Sequence, residues 1–280
     1  MAEDRGRFEY NPDAPQDGRQ DRYKENMFKL PFGQLQHQGF IHPKARRSLT
    51  SEEMRLIKRR LFQKMSLADL NHHDDTKENE EENDLQHVIL VTSSKPAEGK
   101  SFTALNLALS IILDEKYNVL LIDADIARAS ISRRLRLQQQ SGLTDLLREK
   151  HPNIPHFIKR EINFPLSFIP AGSGVATATD LFGGKKMRRF VHDIANRYKD
   201  RIIIFDAPPL LASTEAIVLA QHVGQIIYVI DGSETPRSTI EAGLDILGRY
   251  DNVGLVLNKT SMHNDIAQFG AYYDHYFNQE

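Results

Sequence analysis

The hydrophobic pattern of the chain changes character near residue 87. From there to residue 259, short unbroken runs rich in Val, Ile and Leu alternate with stretches of helical spacing. The runs are 87–93 (HVILVTS), 118–125 (NVLLIDAD), 166–172 (LSFIPAG), 201–209 (RIIIFDAPP), 225–232 (QIIYVIDG) and 253–259 (VGLVLNK). Because they are continuous rather than alternating, they predict strands buried on both faces. Helices are predicted between them, over 100–115, 142–149, 178–198, 213–222 and 236–249. Strands separated by helices imply right-handed crossovers and an α/β fold with a doubly wound, mostly parallel sheet. Ligands of such sheets sit at the carboxyl ends of the strands, so the residues there carry the interest.

Upstream the pattern is looser. Residues 1–27 are charged, rich in Asp, Arg, Gln and Pro, and show no spacing that buries a face, so an arm spanning 1–48 is expected to be disordered. Residues 49–67 (LTSEEMRLIKRRLFQKMSL) predict an amphipathic helical extension with a basic second half. In it Met54, Ile57, Leu61 and Met65 recur at helical spacing, Ser51 is the expected N-cap, and Glu52 and Glu53 suit the positive end of the helix dipole. Such a helix packs either on its own domain or on a neighbouring subunit. The polar run 71–86 (NHHDDTKENEEENDLQ) reads as an acidic linker, its adjacent His72, His73, Asp74 and Asp75 being solvated rather than a closed metal site. The division expected is therefore an arm (1–48), a helix and linker (49–86), a main domain (87–262) and a tail (263–280).

Composition narrows the function classes. The chain has 280 residues, 40% of them hydrophobic, no cysteine and a formal net charge of -2. That charge gives no whole-protein argument for nucleic-acid affinity, and the absence of cysteine removes disulfides, thiolate metal sites and thiol nucleophiles. No apolar run reaches the length of a membrane span.

Chemistry gathers at three predicted strand ends. After the first run comes SKPAEGKS, residues 94–101, close to the phosphate loop G-x-x-x-x-G-K-[ST] but with Ser94 in place of its first glycine. Residues Ser94, Lys95, Pro96, Ala97, Glu98, Gly99, Lys100, Ser101 and Phe102 would form the phosphate cradle at a helix N-terminus, every one but Pro96 carrying a backbone N–H. Lys100 would neutralise the phosphate oxygens, and the Ser101 hydroxyl would hold Mg²⁺. Asp123 and Asp125 follow the second run, and Asp206 ends the fourth, where a carboxylate suits a metal held directly or through water. ATP with Mg²⁺ is the ligand this pattern predicts.

The stretches SSKPAEGKS, LLIDADIAR and IIIFDAPP resemble the Walker A, A′ and B motifs of the bacterial tyrosine kinases, P-loop autokinases that control polysaccharide export. SEEMRLIKR is similar to that family's ring-forming E-x-x-R-x-x-R helix, with Glu52, Arg55 and Lys58 at the matching positions. GAYYDHYF resembles its tyrosine cluster, and 39–61 is closest to the branch found with exosortase and exopolysaccharide loci. The resemblance covers about residues 39–280. It implies an ATP-dependent tyrosine autokinase in which Asp123 is the base, Asp125 and Asp206 serve the metal, and Tyr272, Tyr273 and Tyr276 accept phosphate from a neighbouring subunit. It further implies a homo-oligomer, ring or dimer, built through residues 51–61; a separate transmembrane chain-length determinant or polysaccharide co-polymerase as activator; a cognate tyrosine phosphatase; and a cytoplasmic protein held at the inner membrane by its partner. Asn258 matches a residue near the nucleotide base.

Three positions depart from the family pattern: Ala97 stands where glycine is usual, Ala127 replaces an arginine, and 172–182 lacks the usual proline and asparagine. If position 97 needs a positive φ, alanine costs about 1–3 kcal/mol there. Lys95, five residues before Lys100, matches instead the signature lysine of the partitioning and cell-division-site ATPases. An ATPase of that type, hydrolysing ATP without tyrosine phosphorylation, is the rival expectation.

Overall fold

The computed structural model describes residues 26–42, 48–65, 85–114, 116–173, 185–248, 250 and 252–260. The six predicted runs form strands β2 (Val88–Ser93), β3 (Asn118–Asp123), β5 (Leu166–Ile169), β6 (Arg201–Asp206), β7 (Gln225–Asp231) and β8 (Val253–Asn258). Two short strands, β1 (Met27–Phe28) and β4 (Lys159–Glu161), complete a sheet ordered β1-β4-β5-β3-β6-β2-β7-β8. Every pairing is parallel except β4 with β5. Side chains of successive strand residues enter opposite cores: Val88 and Leu90 join one apolar cluster, Ile89 and Val91 the other. Both faces of the sheet are therefore covered, as unbroken apolar runs require.

One layer contains α5 (Leu143–Arg148), α7 (Lys185–Arg197), α8 (Thr214–Ala220) and α9 (Arg237–Leu247), which correspond to predicted helices. The opposite layer is led by α3 (Lys100–Ile112), whose sequence KSFTALNLALSII is apolar on nearly every side. Such a helix must be enclosed, and it lies between the sheet and α2 (Leu49–Lys64). Met54 and Leu61 of α2 are buried there, together with Met65. Lys58 is buried with them: its Nζ donates to the Ser110 carbonyl at 3.0 Å and meets Asp114 Oδ2 at 2.5 Å. A cation among the last carbonyls of α3 suits the negative end of that helix.

Two expectations are corrected here. The N-cap of α2 is Ser48, whose hydroxyl accepts the Ser51 N–H, while Ser51 sits three residues inside and completes the capping box. A cap must lie outside the helix, and the helix begins at Leu49. The expectation of disorder up to residue 48 also fails over 26–42. That segment adds β1 to the edge of the sheet, forms α1 (Phe32–His37), and buries Phe28, Leu30, Leu35, Phe40 and Ile41. Its path is tied by hydrogen bonds from Arg160 N to the Asn26 carbonyl (2.7 Å), from Leu30 N to Glu161 Oε1 (3.1 Å) and from Ile41 N to Asn106 Oδ1 (2.8 Å). Residues 1–25 lie outside the described residues, as do most of the expected linker and the tail. Two short helices, α4 (Ser130–Arg134) and α6 (Ile154–Phe157), were not predicted.

If residues 26–42 are an integral part of the domain, Leu35→Ala will cost about 2–5 kcal/mol of unfolding free energy. Urea denaturation measures it, and a loss below about 0.5 kcal/mol would mean that the segment is only loosely attached.

Candidate active site

Three adjacent strands, in the order β3-β6-β2, bring the predicted chemistry to one edge of the sheet. Asp123 and Asp206 are register partners at the ends of β3 and β6, and Val91 of β2 is the next partner of Asp206. The loop 94–99 leaves β2 and delivers Lys100 as the first residue of α3. Lys100, Asp123, Asp125 and Asp206 are all buried, each no more than 4% exposed. Lys100 Nζ lies 2.5 Å from Asp125 Oδ2, 3.5 Å from Asp206 Oδ1 and 3.3 Å from Ser101 Oγ.

Burial pushes the Lys100 ammonium down, but Asp206, Asp125 and Asp123 together hold it above the usual lysine range. Burial first, and the Asp206 charge second, push Asp123 up to about 7, against the hydrogen bonds from Ser132 and the charge of Lys100. Asp206 is raised too, chiefly by burial and against the pull of Lys100. One ammonium is thus shared among three enclosed carboxyl groups. Asp123 Oδ1 and Asp206 Oδ2 are buried without a hydrogen-bond partner.

The loop itself is built by its own side chains. Glu98 is buried; its Oε2 accepts the Lys95 N–H at 2.7 Å and its Oε1 accepts the Thr235 hydroxyl. Asn258 donates its Nδ2 to the Glu98 carbonyl at 2.9 Å. Gly99 has φ +102°, and a Cβ there would sit 1.8 Å from Asn258 Nδ2. Ala97 has φ +73°, the strained conformation that its place in the motif suggested. Ser94, at the position of the missing glycine, is buried and turns its hydroxyl away from the loop onto that of Tyr228. Lys95, Pro96 and Ala97 form the exposed rim.

Several candidate residues have their side chains engaged elsewhere. The Phe102 ring packs on Phe40, centroids 5.1 Å apart, and so faces the 26–42 segment. The Asn258 amide braces the loop, and Lys259 pairs with Asp231 at 2.8 Å. Glu52 and Arg55 are ion-paired at 2.9 Å on the outer face of α2. Lys58, expected on the assembling face, has its ammonium held against α3 of its own domain by the Ser110 carbonyl and Asp114. Tyr272, Tyr273 and Tyr276 lie outside the described residues.

Sequence reasoning missed Ser132, Tyr228 and Thr235. Ser132 donates both its N–H and its hydroxyl to Asp123 Oδ2 at 2.8 Å. A small hydroxyl in an unpredicted helix gives no motif signal, and Tyr228 reads simply as one more residue of a buried strand.

The chain matches a protein-family model described as an AAA domain (AAA_31) over residues 86–234. It is similar to the tyrosine-protein kinase ptk of Acinetobacter johnsonii, 29% identical over 187 residues, which are 67% of this chain and 24% of that protein. It is also similar to the tyrosine-protein kinase YwqD of Bacillus subtilis, 27% identical over 65% of this chain and 77% of that protein. The chain thus spans about a quarter of the first relative's length and about three quarters of the second's. Among solved structures, the VpsO kinase domain aligns with a TM-score of 0.57 and 26% identity, over 76% of this chain and 100% of that one.

Proposed function

The chain belongs to the AAA-domain family, and from that premise we propose that it is an ATP-dependent protein tyrosine autokinase. One observation carries the reading. A P-loop lysine, a P-loop serine and carboxyl groups from two neighbouring strand ends converge in one buried pocket. The relatives matched by sequence bear the name tyrosine-protein kinase, whereas the likeness to the cell-division protein MinD, 19% identical with a TM-score of 0.51, is one of fold alone.

The pocket suits a divalent cation. Asp206 Oδ2 and Asp123 Oδ1 are buried oxygens without partners, and Lys100 already supplies positive charge beside them. Among the described residues no three His, Asp, Glu or Cys side chains form a closed metal cage. A Mg²⁺ site of this type needs none, since it takes one or two carboxylates, waters and substrate phosphates. Ser101, Asp125 and Asp206 would hold the ion, which supplies charge neutralisation at the phosphate oxygens.

The chain's own residues account for the rest. The N–H groups of the loop and the amino end of α3 hold the phosphates. Lys100 exchanges Asp125 for phosphate oxygens, and Asp123 receives the tyrosine proton on Oδ1. Positioning and charge stabilisation carry most of the rate, because phosphoryl transfer asks little covalent chemistry of the protein. Tyr272, Tyr273 and Tyr276 of a neighbouring copy are the acceptors, each gaining about -1.5 to -2 charges.

Assembly through α2 is part of the proposal, using its outer face, where Glu52, Arg55 and the 55%-exposed Leu56 lie. No helix among the described residues is long and apolar enough to cross a membrane. By likeness to the tyrosine-protein kinases, a separate transmembrane polysaccharide co-polymerase is proposed as activator and inner-membrane anchor, with a tyrosine phosphatase reversing the reaction.

The test is to incubate the purified full chain with Mg-ATP, alone and with the cytoplasmic segment of such an activator, and to map phosphotyrosine by mass spectrometry. Phosphate on Tyr272, Tyr273 or Tyr276, absent in Asp206→Asn, is expected. Release of ADP and phosphate with every tyrosine unmodified would overturn the kinase reading in favour of an ATPase.

A further inference from the structure

Asp123 does not meet the pocket symmetrically. Its Oδ2 accepts two hydrogen bonds, from Ser132 N and Ser132 Oγ, both 2.8 Å long, while Oδ1 has no partner. Ser132 is itself fully buried in the middle of α4 and accepts the Ala171 N–H on its Oγ at 3.0 Å. A hydroxyl carries one proton and two acceptor lone pairs. Since Ala171 N–H occupies the acceptor side, the proton is committed to Asp123.

We infer that Ser132 is the positioning residue of the reaction: the chain Ala171 N–H, Ser132 O–H, Asp123 Oδ2 locks one carboxylate oxygen and leaves Oδ1 as the single oxygen able to take the acceptor's proton. This rests on the kinase reading for the identity of the acceptor, but not for the geometry. In the step, the tyrosine oxygen forms its bond to the γ-phosphorus as the bond to the β,γ-bridging oxygen breaks, ADP leaves with that electron pair, and the phenolic proton passes to Asp123 Oδ1. Ser132 acts through Asp123, to which both its N–H and its hydroxyl are committed. Its effect is to fix the rotamer of Asp123, because a carboxylate held at one oxygen by two donors cannot turn its second oxygen away from the site.

The arrangement also links the base to the end of β5. Ala171 precedes Gly172 and Ser173, which pack on Thr144 and Asp145: the Asp145 carboxylate accepts the N–H groups of Gly142 and Ser173 at 3.0 and 3.1 Å. The proton acceptor is thus oriented by backbone from two neighbouring connections.

The experiment compares the parent, Ser132→Ala and Ser132→Thr as full chains, measuring phosphotyrosine formation, ADP release and the affinity for a fluorescent ATP analogue. Ser132→Ala is expected to lower kcat about ten- to a hundred-fold, the range typical when the hydrogen-bond partner of a functional ligand is removed. KM for ATP and analogue affinity should stay within about twofold, since the phosphate loop is intact. Ser132→Thr, which restores the donor, should recover most of kcat. A purely structural role would instead shift affinity and kcat together and would not depend on the hydroxyl. Equal kcat in the parent and Ser132→Ala overturns the inference, as does an alanine variant whose only defect is weaker ATP binding. If the parent releases ADP without phosphotyrosine, the kinase reading falls and ADP release becomes the readout for Ser132, water being the acceptor. If the parent releases no ADP even with the activator, both fall.

Discussion

Replacing Lys100 with methionine is expected to reduce phosphoryl transfer at least about a hundredfold, through loss of a charge aimed at the reacting phosphates, and to destabilise the protein by about 3–5 kcal/mol at pH 8. The second effect follows from burial. Lys100 Nζ lies 2.5 Å from Asp125 and 3.5 Å from Asp206, and removing it leaves enclosed carboxylates without their cation. The direction with pH is fixed by proton linkage. Burial already raises Asp123 to about 7 in the folded protein, and Asp206 is raised too, while the charge of Lys100 opposes both shifts. A carboxyl raised on folding destabilises the native state where it is charged, above its folded value, and that cost fades as pH falls toward the unfolded range near 4. Without Lys100 the raised values climb further. The stability difference between parent and Lys100→Met should therefore be largest near pH 8 and shrink toward pH 5. Urea unfolding at both pH values, with magnesium removed by chelator, measures it. A variant as stable as the parent at pH 8 would mean that the carboxylates are not enclosed as described.

The site was legible because its chemistry is local. A loop following a buried run, and carboxylates ending two others, can be read from order alone once the strands are recognised. Sequence order also implied that Asp123 and Asp206 share an edge, since parallel strands place their carboxyl ends together. What remained hidden depends on packing between distant segments. Phe28, Leu30, Leu35, Phe40 and Ile41 follow neither a helical nor a strand period, because each anchors the 26–42 segment at a different place on the domain. Lys58 reads as part of a basic surface, yet the carbonyl and carboxylate that enclose it come from residues 110 and 114. Ser132 lies nine residues after Asp123, across a turn that no spacing rule foresees. Ser94 answers the question raised by the missing glycine: its side chain leaves the phosphate side for Tyr228 of β7, so the loop loses no room by carrying it.

The phosphate loop makes the opposite demand at Gly99, and Gly99→Ala is expected to weaken ATP binding by about tenfold or more. Two independent causes act there. The φ of +102° is one that a residue with a Cβ adopts at a cost of about 1–3 kcal/mol. The added Cβ would also fall 1.8 Å from Asn258 Nδ2, so the amide that holds the Glu98 carbonyl must withdraw and the loop loses its brace. Since about 1.4 kcal/mol corresponds to tenfold in affinity, the strain alone reaches the threshold if it is relieved by distorting the bound form of the loop. A second substitution separates the causes. Asn258→Ala clears the space but leaves φ unchanged, so Gly99→Ala/Asn258→Ala should bind a fluorescent ATP analogue more tightly than Gly99→Ala and more weakly than the parent. The two changes are in contact, and their non-additivity measures the steric part. Ala97 supplies the reciprocal comparison, because at φ +73° glycine is the less strained residue. Ala97→Gly should leave affinity unchanged or improve it, although it alters the same loop two residues away. If Gly99→Ala bound nucleotide as well as the parent, phosphate would not be held by this loop and the kinase reading would lose its foundation.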